Sequence, residues 1–151
     1  MTFQEQIKFI WFKVNNEVYK YDIDYIEIKE CVDKRFPTID YELEITDLHK
    51  KTSDYKTMKE LALVIPVRTA QYVREKFDCE DFSRVADGAY AQWYPQLATG
   101  RVFVDIKGGG KHALNFCITK TDSGKTSFNY IEPQTGKMFF TNNYRPYLIV
   151  I

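Results

Sequence analysis

Apolar and polar positions alternate through the first fifty residues, switch to helical spacing, then return to alternation. Ile7, Phe9 and Trp11 interleave with Lys8, Ile10 and Phe12, and Asn15-Asn16 offers a turn before the apolar run resumes at Val18. Alternation broken by turn residues predicts a β-hairpin or an irregular strand pair. Residues 23–35 fit strand and helix equally well. Tyr41-Glu42-Leu43-Glu44-Ile45 alternates cleanly and predicts a short strand.

Helical spacing begins at Ser53 or Asp54, either of which caps a helix through Met58, Leu61, Ala62 and Ile65 that stops at Pro66. A second short helix or turn is expected over 69–76. The clearest helix runs over 79–94. Asp78 is a good N-cap, Glu80 and Asp81 favour the first turn, and Phe82, Val85, Ala86, Ala89 and Trp93 mark one buried face. Pro95 ends it. Beyond it, Val102-Phe103-Val104, residues 112–119, 127–132, 137–140 and 147–151 read as strands of an antiparallel sheet. Helices first and sheet later predict an α+β fold.

Composition narrows the picture. The 151 residues suit one domain, with 44% hydrophobic residues to build a core. No linker or repeat divides residues 1–151, although 1–65 and 66–151 differ in character. Lys plus Arg and Asp plus Glu both number 21, so the net charge is zero. That argues against a nucleic-acid partner, which selects for a basic face. No apolar run is long enough to span a membrane and no signal peptide opens the chain. Three cysteines, Cys31, Cys79 and Cys117, cannot all pair within the chain, so a reducing, cytoplasmic setting is expected.

Three segments carry candidate chemistry: Asp78-Cys79-Glu80-Asp81-Phe82, His112-Ala113-Leu114-Asn115 and Glu132-Pro133-Gln134. Cys79 opens the best helix, where free N–H groups and the dipole stabilise a thiolate. A hairpin turning about Asp122 pairs Lys120 with Gly124 and sets His112 directly opposite Glu132. Opposed side chains have Cβ atoms about 5 Å apart, so the carboxylate would orient the imidazole. A one-residue slip would place the two on opposite faces. The plainer alternatives are a packed cysteine at a helix start and an ordinary cross-strand polar pair. Asp78, Glu80 and Asp81 carry the oxygen chemistry of a Ca²⁺ site, with helix capping as the commoner explanation. His49 reads as solvated, and Cys117, facing away from His112, as packing.

The segments DCEDFS, HALN and EPQTG resemble the papain-like peptidase domain of the Marasmius oreades agglutinin and its lectin-related relatives, which include phage and bacterial proteins. The resemblance covers about residues 70–140. It implies a papain-like fold, a Cys-bearing helix on an antiparallel sheet, and a cysteine hydrolase acting on protein or peptide. Cys79 would be the nucleophile, His112 the base and Glu132 the orienting acid, with an acyl-enzyme intermediate. Gln71, Asn115 and Gln134 are candidates for substrate or oxyanion contacts. The family also implies Ca²⁺ near the cysteine, although Glu80 stands where the family has Asp. The alternative is a non-catalytic protein-binding module, such as a phage-encoded host-interaction factor.

Overall fold

A computed structural model describes residues 2–65 and 78–151. The expected helix or turn at 69–76 and the candidate Gln71 lie outside the described residues.

The chain opens with a helix, α1 (Phe3–Asn15), where alternation predicts a hairpin. The local cause is a capping box. The Thr2 side chain accepts from the Glu5 amide, and the Glu5 carboxylate accepts from the Thr2 amide. Once the helix starts, Phe9 and Phe12 fall on one side, three residues apart, and are buried. Residues 23–35 resolve into both candidate elements: β1 (Tyr21–Asp24), then α2 (Tyr25–Arg35), the boundary set by a second capping box of Asp24 and Glu27. Short strands β2 (Glu42–Glu44) and β3 (His49–Thr52) follow, β3 in a stretch that reads as merely polar. Then come α3 (Tyr55–Val64), capped by Asp54, and α4 (Cys79–Trp93), capped by Asp78.

The remainder is strand: β4 (Thr99–Ile106), β5 (Lys111–Lys120), β6 (Thr126–Glu132), β7 (Lys137–Phe139) and β8 (Tyr144–Val150). Six strands form one sheet in the order β2-β8-β4-β5-β6-β7, while β1 and β3 pair separately. The expected purely antiparallel sheet is corrected here, because β2 runs parallel to β8. That pairing joins residues 42–44 to the last strand, a contact no local pattern announces.

The sheet is buried on both faces. Even positions of β5 (Leu114, Phe116, Ile118) join Phe128 and Tyr130 of β6 and pack on Ile28, Val32 and Phe36 from α2 and its cap. On the other face, Cys117 and Ile131 pack with Ala89 and Tyr90 of α4, Met58 and Leu61 of α3, and Phe9 and Phe12 of α1. Aromatic rings cluster on the α2 face, with Phe116 stacked on Phe128 at 4.6 Å. Such pairs prefer offset-stacked or edge-on geometry and add to the burial energy.

Candidate functional site

β5 is the axis of the site. On the face that carries α4, the Asn115 amide donates to the Ser83 carbonyl at 3.0 Å and to the Gly100 carbonyl at 3.3 Å. The Ser83 hydroxyl donates to the Leu114 carbonyl at 3.1 Å. About two turns further along α4, Tyr90 shares a core with Cys117. Helix and strand therefore run in the same direction, and Cys79 comes at the His112 end of β5.

His112 and Glu132 meet: Nε2 lies 3.1 Å from Oε2. They do not meet in the expected register. Lys120 pairs with Thr126 and Asn115 with Ile131, two residues away from the sequence-based alignment. Continuing one step sets Leu114 opposite Glu132, so His112 is its diagonal neighbour. A slip of two keeps both side chains on one face, and diagonal neighbours stay within reach of long side chains. The Glu132-Pro133-Gln134 segment then turns sharply, with the Gly136 amide donating to the Glu132 carbonyl at 2.8 Å. The Gln134 side chain is exposed, and its backbone amide points to Glu132 Oε1 at 3.4 Å.

Cys79 is a free, half-buried thiol at the first position of α4. By strand alternation His112 and Glu132 belong to the α2 face, whereas α4 lies on the other. Among the described residues no hydrogen bond joins the Cys79 sulfur to the imidazole. The ring of His112 instead stands edge-on to Tyr144, 6.4 Å away. Burial, with the Glu132 charge behind it, pushes the Tyr144 hydroxyl pKa up.

The other candidates are placed by their bonds. Asn115 is fully buried and spends its amide on holding α4 to β5 and β4, so the expectation of a substrate or oxyanion contact is corrected to a structural tie. The Asp78 carboxylate accepts from the Glu80 amide, Asp81 accepts from the Asp78 amide, and Asp81 also pairs with Arg84 at 3.2 Å. Capping accounts for these acids. Among the described residues no three His, Cys, Asp or Glu side chains are grouped to hold a metal ion. Cys117 is buried, and burial raises its thiol pKa strongly. His49 is exposed.

A feature absent from the sequence reading adjoins Tyr144. A groove of about 440 Å³ runs beside the β8 strand, lined by Asp40, Asp105, Lys107, Asn142, Arg145 and Tyr147 among others. Arg145 and Asp105 are cross-strand neighbours, and the Lys111 ammonium sits 4.5 Å over the Tyr147 ring. The groove joins residues from 38 to 147, which explains why local motifs miss it. Its one sequence signal is the Tyr-Arg-Pro-Tyr run at 144–147.

No protein-family model matches the chain, and no curated protein does. Solved structures do match. One is a PSL1a-E64 complex, with a TM-score of 0.71 and 19% identity over 88% of this chain and 52% of that one. Another is the Polyporus squamosus lectin bound to the human-type influenza-binding epitope Neu5Aca2-6Galb1-4GlcNAc, with a TM-score of 0.68 and 19% identity over 88% of this chain and 50% of that one. The chain thus spans about half the length of the structures it matches. The likeness is to lectin structures. At 19% identity that likeness is one of fold alone, and it does not carry the resemblance to a papain-like peptidase, the papain-like fold or the thiol-hydrolase reading expected from the sequence. Among the described residues no helix is long and apolar enough to cross a membrane.

Proposed function

We propose that this chain is a non-catalytic binding module whose ligand is a carbohydrate. The likeness of 88% of the chain to lectin structures carries the reading. The sialylated epitope belongs to the lectin; here it suggests the chemistry to try first. The groove beside β8 suits such a ligand. Tyr147, 37% exposed, offers ring surface for stacking. Asp40, Asp105 and Asn142 supply partners for hydroxyl groups, and Lys107 and Arg145 match the carboxylate of an acidic sugar. In this reading His112 and Glu132 form the wall behind Tyr144. The chain acts as one domain, and its free thiols favour a reducing setting such as the cytoplasm.

The test is titration calorimetry of the purified chain with sialylated and neutral oligosaccharides. Saturable binding is expected, weakened roughly tenfold or more by Tyr147→Ala or Arg145→Ala without a change in melting temperature. Absence of binding to every sugar overturns the proposal. So does iodoacetamide labelling of Cys79 well below pH 8, far faster than of Cys31 and Cys117, together with a bond-cleaving activity lost in Cys79→Ala.

A further inference from the structure

A second cavity lies at the opposite end of the β4–β8 pair from the groove. Thr99, on its wall, is six residues along β4 from Asp105 of the groove, about 20 Å away. The cavity holds about 250 Å³ between the β2–β3 connection, α4 and the start of β4. Asp87, Ala91 and Tyr94 reach it from one face of α4, spaced four and three apart. Lys50 enters from β3 and Thr99 from β4, each only 7% exposed. Lysine is rarely buried so far unless it is paired. One of its N–H donors goes to Asp47 at 3.1 Å, and Asp47 is itself open to solvent. The second acid, Asp87, accepts no hydrogen bond among the described residues. The buried Nε of Arg101 stands 3.5 Å from it, also without a hydrogen bond. Burial raises the Asp87 pKa against the pull of Arg101 and Lys50. The Thr99 hydroxyl likewise has no partner among the described residues. Buried polar groups are normally satisfied, so these are placed for something that enters the cavity.

We propose that this cavity binds one neutral monosaccharide, at a site apart from the groove beside β8. Size limits the ligand: the volume is below the roughly 300–1,000 Å³ of sites for larger molecules, so it admits a single sugar ring. Charge makes it neutral. Lys50 and Arg101 balance Asp47 and Asp87, and a charged ligand would leave one of these groups opposed. Hydroxyl groups both donate and accept, which suits the free Lys50 N–H groups, the Thr99 hydroxyl and the Asp87 oxygens in one space. Leu97 and Val150 supply apolar wall for the C–H face of the ring. The walls are fixed before anything binds. The Lys51 amide donates to the Gln96 carbonyl at 2.7 Å, and the Ala98 amide donates to the Lys51 carbonyl at 2.8 Å, pinning β3 beside the start of β4. The Thr46 amide and hydroxyl both donate to the Ile151 carbonyl at 3.0 Å. A preformed site loses little to ordering, but one ring makes few contacts, so the affinity is millimolar.

Amide NMR of the full chain, titrated with D-glucose, D-galactose and D-mannose to about 50 mM, tests this. At least one sugar is expected to give saturable shifts at Thr46, Lys50, Asp87 and Thr99, with a Kd of roughly 1–10 mM. Thr99→Val should weaken that binding about threefold or more, and Asp87→Ala about tenfold. Thr99→Val should leave the melting temperature unchanged, because its hydroxyl has no protein partner among the described residues, so it decides the matter even where Asp87→Ala folds poorly. Saturable shifts at Arg145 and Tyr147 alone overturn this site and leave the reading of the groove standing. The proposal also falls if none of the three sugars gives a saturable shift, or if wild type and Thr99→Val bind equally well.

Discussion

At the residue scale, Asp54 shows how one carboxylate serves two elements. It caps α3 by accepting from the Thr57 amide at 2.8 Å, and it pairs with Lys20. Burial works against its ionisation, but Lys20 and the Thr57 amide outweigh it, and its pKa falls below the ordinary 3.8. A carboxyl held low in the folded state stabilises fully above its unfolded pKa and loses that contribution as pH falls through the folded value. Asp54→Ala is therefore expected to cost about 1 kcal/mol at neutral pH. In urea unfolding of both proteins, that difference should shrink toward zero as pH drops well below 3.8. Asp54 was legible in the sequence because capping is local. Asn115 was not. Its amide bonds two carbonyls, one on a helix over thirty residues away, and nothing in its neighbourhood announces them.

At the element scale, the turn after β6 is pinned by Gly136. Its φ is +67°, and a Cβ there would lie 2.0 Å from the Ala62 carbonyl on α3. Neither the conformation nor the space tolerates a side chain. Gly136→Ala must push the turn away from α3 and disturb Glu132, four residues back. The expected loss is about 2 kcal/mol or more, read from the urea midpoint. The imidazole chemical shifts of His112 should change as well; a variant with both properties unchanged would count against this packing. The sequence reading found the partners His112 and Glu132 with the wrong register, and the even-numbered slip left them on one face. At α1 it failed outright. Seven apolar or aromatic side chains among thirteen positions alternate well enough to imitate a strand, and the deciding signal was the Thr2–Glu5 box rather than the spacing of those side chains. β3, at 49–52, was missed because its pairing with β1 is held by backbone bonds over a polar stretch.

At the scale of the whole molecule, the sheet order matters more than any strand. The two cores are two sides of one layer, and β5 lies between β4 and β6 with packed side chains on both faces. The central strands of the second half, β5 and β6, were readable because each carries a run of buried residues, most of them apolar, between turns. The order in which they lie is not local information. β8 is inserted between β2 and β4, joined in parallel to one and antiparallel to the other. Synthesis from the ribosome therefore meets a bottleneck. A nascent chain arrested after β7 has its early segment and its central strands without the piece that bridges them, so it should remain open to protease. Extending the arrest point until β8 clears the exit tunnel should convert the whole chain to resistance in a single step. Resistance acquired gradually, strand by strand, would mean that the sheet closes without its keystone.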